Sequence, residues 1–305
     1  MIIGDKRFFS REHFNANKGF APAHLCELVV YCLELVSQLS RTGLSYRFKG
    51  GNSQLILLDD PQRFSIDVDI VSTVTKEAMV AAVEQAAGDC ELFTRCDVRP
   101  HKTKPWLPMI SFKIYFDSHF QEAEDAFVML DAVLEPAPYG GVTKQVKCLD
   151  LYRSDETCEL PTIGGLLADK MLCIGPATLG IPMGKGKEAH RLKHVFDVAT
   201  LSRHDYEMAE VRAALVACMD QENQLQRSEW SLAQVAADTI KFCSEPLEHA
   251  DKPPDSALQA GTYLDEIARG FDDFRKVLFR VDYTWSRFQD DCRQVVSMMK
   301  QISGG

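Results

Sequence analysis

The sequence contains no long hydrophobic run. Its first residues, MIIGDKRFFSREHF, mix apolar side chains with charged ones, and no later stretch reaches about 18 uncharged apolar residues, the length typical of a membrane span. The start also lacks the apolar segment of a secretory signal peptide. We therefore expect neither a signal peptide nor a membrane span, and we predict a cytoplasmic protein.

Cysteine pairs and an excess of positive charge are also missing. The chain has 10 cysteines, but none are spaced as CxxC pairs, which favours reduced thiols in a core over a zinc or redox site. Its 34 basic and 44 acidic residues give a net charge of -10, so the surface cannot be basic throughout. A local basic patch could still bind nucleic acid.

The pattern of predicted elements changes near the middle of the chain. After an irregular arm at 1–21, helices are predicted at 23–39, 53–58 and 76–87, and strands at 45–48, 65–71, 91–98, 108–116, 127–134 and 145–149. Later segments all have helical periodicity, at 163–174, 188–201, 206–219, 231–243, 257–269 and 285–302. We therefore expect an α+β fold, with a mixed α/β domain at 1–155 and a helical domain at 156–305.

The stretch Lys49–Ile70, KGGNSQLILLDDPQRFSIDVDI, combines a glycine turn with two closely spaced acids. Side chains alternate faces along a strand, so Asp67 and Asp69 should project to the same side of the predicted strand at 65–71. Two neighbouring ionised carboxylates need a compensating charge, and a divalent cation with oxygen ligands supplies it most simply. The pattern therefore indicates a metal-dependent site for phosphoryl transfer.

A third acid, Asp131, strengthens this interpretation. Acid–x–acid pairs are common, since about six are expected by chance in a chain of this composition. Asp131, however, is the only charged residue at 126–134, inside a predicted strand. If that strand neighbours the one at 65–71, three carboxylates converge and could hold two Mg²⁺ ions. The structural alternative is an acid that is hydrogen-bonded at the end of a strand.

Together these features resemble the nucleotidyltransferase fold shared with DNA polymerase beta. Within that group, KGG followed by Arg63, Ser65, Asp67 and Asp69 is similar to the KGGT and R-x-S-x-D-[LIV]-D motifs of the AbiEii/AbiGii toxin family. Two further family motifs, L-A-x-K-L and R-x-K-D-x-x-D-[LIV], correspond to 167–171 and 191–198, so the resemblance covers about 45–205. It implies an NTP-dependent, Mg²⁺-dependent toxin that modifies RNA such as tRNA and has a cognate antitoxin.

The resemblance also implies roles for individual residues. Asp67, Asp69 and Asp131 would bind Mg²⁺, and Asp131 would also help to deprotonate the attacking hydroxyl. The triphosphate would be held by Gly50, Gly51, Asn52, Ser53, Lys170 and Lys193. Lys170, a lone cation in the apolar run LLADKMLCI, would neutralise charge on the leaving pyrophosphate. Asp197, four residues after Lys193, would share its helix face and orient it.

Two departures from the family pattern leave other interpretations open. Asn52 stands where the family has Thr or Ser, and His194 where it has an acid. These changes are the basis for a second interpretation, an inactive nucleotide-binding module. A third is a nucleotidyltransferase for an aminoglycoside-like molecule, whose positive charge would suit an acidic protein. The basic runs at 185–194 and 101–104 could contact RNA phosphates or be solvated surface.

Overall fold

The computed structural model describes residues 1–99, 106–121, 125–249 and 261–304. The chain divides into two compact units. Unit 1 comprises Met1–Pro161 and Val277–Val281, and unit 2 comprises Thr162–Lys276 and Asp282–Gly305. The expected boundary near residue 155 falls inside the last strand of unit 1. That one domain is catalytic and the other completes its cleft stays a prediction.

Unit 1 is built on a seven-stranded mixed sheet. The strands are β1 (Arg47–Lys49), β2 (Asp67–Val71), β3 (Phe93–Arg99), β4 (Met109–Phe116), β5 (Ala126–Val133), β6 (Gly141–Cys148) and β7 (Tyr152–Pro161). Their order across the sheet is β3-β4-β5-β2-β1-β7-β6. β1 runs parallel to β7 and β2 to β5, whereas the other neighbours are antiparallel. The predicted α+β fold class is confirmed.

One helix, α2, is the centre of the unit 1 core. The helices of this unit are α1 (Arg11–Asn17), α2 (Ala23–Arg41), α3 (Gln54–Leu57) and α4 (Lys76–Gly88). α2 packs on β2, β5, β6, β7 and α4. By length and composition it could cross a membrane, but 72% of the tested stretch is buried within the protein. That burial is typical of the core helix of a globular unit.

All regular elements that the structure describes in unit 2 are helices. They are α5 (Ile163–Leu172), α6 (Glu188–Leu201), α7 (Met208–Gln226), α8 (Leu232–Ser244), α9 (Tyr263–Arg275) and α10 (Trp285–Ser303), with a short 3₁₀ helix at Glu245–Glu248. α6 packs on α5, α9 and α10, while α7 packs on α5 and α8 on α10. Each predicted helical segment overlaps one of these, although residues 257–260 lie outside the described residues.

The strand β7 is absent from the sequence prediction. In its sequence, YRSDETCELP, charged residues alternate with the buried side. Between Tyr152 and Leu160 that side contains only the short Ser154 and Cys158 as buried residues. The alternation is therefore present but weak in hydrophobicity. In the sheet, Glu156 pairs with Arg41 at 2.8 Å and Glu159 pairs with Arg47 at 2.5 Å, which compensates two of the charges.

The arm at 1–21 is ordered, so the prediction of an irregular arm is wrong. It forms a 3₁₀ helix, Lys6–Phe9, and then α1, whose first turn is capped by the Ser10 hydroxyl. The carboxylate of Glu34 in α2 accepts hydrogen bonds from the backbone N–H groups of Ile3 at 2.8 Å and Gly4 at 3.0 Å. This long-range contact, invisible in local sequence, fixes the start of the chain.

Candidate active site

The predicted acids of β2 and β5 share one face of the sheet. Asp67 and Asp69 are half-buried on this face, while Val68 between them is fully buried on the other. β5 runs parallel beside β2, and its Asp131 is the direct partner of Asp69. The structure therefore places Asp69 beside Asp131 in register, with Asp67 two residues further along the same strand.

Two polar residues extend this row onto the neighbouring strands. Lys49 of β1 is the partner of Asp69, and Ser111 of β4 is the partner of Asp131. The Ser111 hydroxyl donates a hydrogen bond to Oδ1 of Asp131, which fixes the orientation of that carboxylate. A positive residue at one end of the row reduces the repulsion between the carboxylates. We call Lys49, Asp69, Asp131 and Ser111 the cross-strand row.

The turn after β1 approaches this row closely. Gly50 has φ of +78°, in the left-handed region that favours glycine, and a Cβ at this position would collide with the Asp69 carboxylate. At Gly51, a Cβ would lie 2.5 Å from Nη2 of Arg63 and 2.7 Å from the Ser65 hydroxyl. The backbone of the turn therefore runs against a carboxylate on one side and a guanidinium on the other.

Asn52 and Ser53 are both fully buried. The Ser53 hydroxyl donates a hydrogen bond to the Gly50 carbonyl at 2.9 Å, so it closes the turn. Within the described residues, the amide nitrogen and oxygen of Asn52 have no hydrogen-bond partner of normal geometry, although the Cys32 thiol interacts with this amide. Burial, assisted by the negative charges of Asp67 and Asp69, raises the pKa of that thiol well above its usual value.

Arg63 is a buried cation beside the same turn. Its side chain is 5% exposed, and Nη1 donates a hydrogen bond to the carbonyl of Phe64 at 3.0 Å. Its backbone forms an isolated antiparallel bridge with Leu278, which belongs to unit 1. The guanidinium is thus held in place next to Gly51, where it contributes a fixed positive charge.

The predicted metal ligands do not form a complete cluster in the structure. Among the described residues, no group of three or more His, Cys, Asp or Glu side chains is arranged to hold an ion. What the structure brings together is the neighbouring pair Asp69 and Asp131, with Asp67 on the same face. The roles of all three in metal binding stay a prediction.

The remaining predicted site residues lie in unit 2. Lys170 is in the last turn of α5 and only 5% exposed, among the buried residues of that helix. Asp197 of α6 is fully buried, and Lys193, one helical turn before it, is half-buried. The placement of Lys193 and Asp197 on adjacent turns agrees with their spacing. Their roles in nucleotide binding stay a prediction.

The basic run at 185–194 is only partly available to a ligand. Arg191 is 1% exposed; its guanidinium pairs with Glu266 at 3.0 Å and donates to the carbonyl of Ile181 at 2.5 Å. Arg191 is therefore not available to RNA, because its side chain joins α6 to α9 inside unit 2. Lys185 and Lys187 are exposed. The other basic run, at 101–104, lies outside the described residues.

A sequence family matches most of the chain. Residues 35–282 match the family described as nucleotidyl transferase AbiEii toxin of the type IV toxin–antitoxin system. The chain belongs to the AbiEii nucleotidyltransferase toxin family. The match is longer than the region of resemblance expected from the motifs, about 45–205, and it includes the helices that follow them.

Solved structures show a related fold. MenT4, a nucleotidyltransferase toxin from Mycobacterium tuberculosis H37Rv, is 15% identical with a TM-score of 0.59, covering 96% of this chain and 99% of MenT4. An antigenic nucleotidyltransferase-like protein from Paracoccidioides brasiliensis is 14% identical with a TM-score of 0.39, covering 68% and 96%. Of these two structures, only MenT4 has a TM-score above 0.5, so only that likeness informs the fold. No curated protein matches this chain significantly by sequence.

Family membership decides between the interpretations of the sequence. This AbiEii protein is a nucleotidyltransferase and the toxin of a type IV toxin–antitoxin system, with an NTP as substrate and an antitoxin as partner. The predicted family and enzyme class are confirmed, and the inactive binding module is set aside. Sequence reasoning missed Lys49 and Ser111. Both had a signal, since Lys49 precedes the glycine turn and Ser111 alternates with the apolar residues of β4.

Proposed function

We propose that this AbiEii toxin transfers a nucleoside monophosphate from an NTP to a hydroxyl of RNA, such as tRNA, and releases pyrophosphate. The observation that carries the proposal is the register that pairs Asp69 with Asp131 next to the Gly50 turn. Carboxylates on one face and a glycine turn directly beside them would form the two halves of a site for a metal-bound triphosphate. Such substrates favour a cytoplasmic location.

The carboxylate face fits a metal ion that arrives with the nucleotide. Mg²⁺ is usually held by one or two protein carboxylates together with substrate phosphates, and seldom by a cage made only of protein ligands. Asp67 and Asp69 would supply the protein ligands, and Asp131 would complete the site. Bound Mg²⁺ would neutralise phosphate charge and favour ionisation of the attacking hydroxyl. Asp131, oriented by Ser111, would accept the hydroxyl proton.

The turn would hold the triphosphate through its backbone. Because Gly50 and Gly51 carry no side chain, the turn lies directly against Asp69 and Arg63, and a phosphate on its N–H groups would be close to both. The amide nitrogen of Asn52 offers another donor in this turn, and leaving it unpaired in a buried site costs about 1–3 kcal/mol. A phosphate bound there would remove this cost. Ser53 would act mainly by closing the turn, because its hydroxyl is engaged with the Gly50 carbonyl.

Lysines would compensate the charge that develops on the leaving group. Lys170 and Lys193 would neutralise the pyrophosphate as it leaves, and Asp197 would orient Lys193. An ammonium group suits this task, since it acts as a point charge without fixing the geometry of the phosphate. The burial of Lys170 supports a dedicated role, because a buried lysine costs free energy unless an anion compensates it.

The carboxylates are tested by replacing each with its isosteric amide. Asp67→Asn, Asp69→Asn and Asp131→Asn should each lower the transfer of labelled nucleotide from NTP to tRNA by at least about 10²-fold. Asp155→Asn, an exposed position on β7, is the matched control and should retain activity. Thermal unfolding verifies that the variants are folded. Full activity of both Asp67→Asn and Asp69→Asn would refute the mechanism.

A further inference from the structure

Unit 1 contains a positively charged groove outside the candidate active site. A cavity of about 640 Å³ is lined by Arg7, Lys147, Arg153 and Arg280, and among its described lining residues the only acid is Asp150. A second cavity, of about 380 Å³, shares Lys147 and Leu149 with the first and adds Lys144 and one acid, Asp59. We call these two adjoining cavities the basic groove. In a chain with a net charge of -10, such a concentration of cations needs a reason.

Two cations of the groove face each other without compensation. Lys147 of β6 and Arg153 of β7 are direct partners across the antiparallel hairpin. Both side chains are exposed, and neither side chain forms a hydrogen bond or ion pair with the residues that the structure describes. Like charges directly opposite each other on a sheet destabilise it. A negatively charged ligand between the two side chains would turn this repulsion into attraction.

The turn between β6 and β7 has a strained backbone at the wall of the groove. Leu149, which lines both cavities, has φ of +45°, in the left-handed region that a leucine rarely adopts. Such strained positions persist only where the surrounding structure holds them, and they concentrate at binding sites. The turn thereby sets Lys147 and Arg153 at the wall of the groove.

The other two arginines are available for exchange. Arg7 pairs with Asp5 at 3.4 Å and Arg280 pairs with Asp60 at 3.2 Å, and all four side chains are at least 44% exposed. Ion pairs this exposed contribute little stability, so a phosphate can replace either partner at small cost. The groove therefore offers four cationic side chains to a polyanion.

One short helix connects the candidate active site to the groove. The short helix α3 starts directly after Ser53 of the glycine turn, and Ile56 and Leu58 at its other end line the second cavity. Four helical residues span about 6 Å. Lys144 fixes this end of α3 to β6, since its ammonium donates a hydrogen bond to the Leu57 carbonyl at 2.7 Å. The groove is therefore separated from the turn at Gly50 by one short helix.

We infer that the basic groove binds the phosphate backbone of the RNA acceptor, an inference that rests on the proposed function. An extended, cationic channel suits the repeated charges of a nucleic acid strand. A protein partner fits less well, because protein interfaces rely on large aromatic and apolar anchors at their centre. Phe8, the aromatic residue of the first cavity, is 5% exposed and so offers no such anchor.

Reversing the charge of Lys147 distinguishes an effect on tRNA binding from an effect on folding. Lys147→Glu creates an attractive pair with Arg153, so the thermal midpoint should stay the same or rise. The affinity for tRNA, measured by fluorescence anisotropy without NTP, should fall roughly 3-fold to 10-fold, and the slope of log K against log salt should decrease by about 1. Lys76→Glu, an exposed residue at the start of α4, carries the same change in net charge and should leave both quantities unchanged. Lys147→Arg should retain binding.

The outcomes distinguish this inference from the proposed function. If Lys147→Glu binds tRNA as tightly as the parent while the parent still labels RNA, the groove is refuted and the function stands. If the parent labels no RNA and binds none, both fail. If Lys147→Glu weakens the binding of an NTP in the absence of RNA and leaves the affinity for tRNA unchanged, the groove belongs to a free nucleotide and the RNA assignment is overturned. Loss of an antitoxin complex with unchanged tRNA affinity would assign it to a protein and overturn it equally.

Discussion

Position 50 requires a glycine because there is no room for a side chain. Its backbone occupies the left-handed region, and the space where a Cβ would stand belongs to the Asp69 carboxylate. Gly43 has nearly the same backbone conformation, with φ of +75°, but nothing lies within 4 Å of its Cβ position. The two glycines therefore differ in their surroundings and not in their backbone requirement. This difference allows strain and collision to be measured separately.

Gly50→Ala and Gly43→Ala should have unequal effects. Both pay the cost of a left-handed alanine, about 1–2 kcal/mol in the free energy of unfolding. Gly50→Ala should lose about 1–3 kcal/mol more, because the carboxylate of Asp69 must move. It should also abolish nucleotidyl transfer, whereas Gly43→Ala remains active. Urea denaturation and transfer of labelled nucleotide to tRNA measure the two effects. Equal losses would show that Asp69 tolerates displacement.

At the scale of elements, the amino-terminal arm depends on one buried acid of α2. Glu34 is fully buried, and besides the two N–H groups of the arm it accepts a hydrogen bond from the Tyr152 hydroxyl at 2.7 Å. The side-chain amide of Gln38 adds another at 2.7 Å. Charge-assisted hydrogen bonds of this kind are stronger than neutral ones. One carboxylate thus ties the arm, α2 and β7 together.

Removal of this carboxylate should loosen the arm. Glu34→Ala leaves several buried donors unpaired, and we expect a loss of about 3 kcal/mol or more in the free energy of unfolding. Limited proteolysis should then cleave within residues 1–21 while the sheet remains protected. Glu84→Ala, at an exposed position on α4, should change the stability by less than about 0.5 kcal/mol. An equally resistant arm in Glu34→Ala would contradict this explanation.

The sequence predicts where helices and strands lie better than it predicts which residues contact each other across them. β2 and β5 were predicted because their alternation is local, and Asp67 and Asp69 share a face for the same reason. The pairing of Asp69 with Asp131 requires two strands about 60 residues apart to run parallel in register, which local periodicity does not encode. In the same way, Arg191 reads as part of a basic run, because its partner Glu266 lies 75 residues away.

At the scale of the molecule, the chain returns to the unit in which it began. After the helices α5–α9 it contributes Val277–Val281 to unit 1. The Phe64 N–H donates to the Val277 carbonyl at 2.7 Å, and the Phe279 N–H donates to the Gln62 carbonyl at 3.1 Å. The rings of Phe64 and Phe279 stack with centroids 4.2 Å apart. This segment therefore supports the residues on either side of Arg63.

Phe279→Ala should destabilise unit 1 although it lies late in the sequence. Its ring is 4% exposed, and truncating a buried phenylalanine costs about 3–5 kcal/mol. Hydrogen exchange should quicken at Phe64 and nearby amides of unit 1, with reduced nucleotidyl transfer. Phe20→Ala is the control of the same type, since that ring is 71% exposed and its loss should be nearly neutral. Unchanged exchange at Phe64 would show that the segment is dispensable.

The returning segment sets the order in which a newly made toxin can mature. Domains usually fold as they leave the ribosome, starting from the amino terminus. Here the Phe64 N–H and the Gln62 carbonyl pair with Val277 and Phe279, which follow much later in the chain. Translation must therefore pass residue 279 before unit 1 closes. A nascent or prematurely terminated chain carries the catalytic motif without the backbone support that completes it.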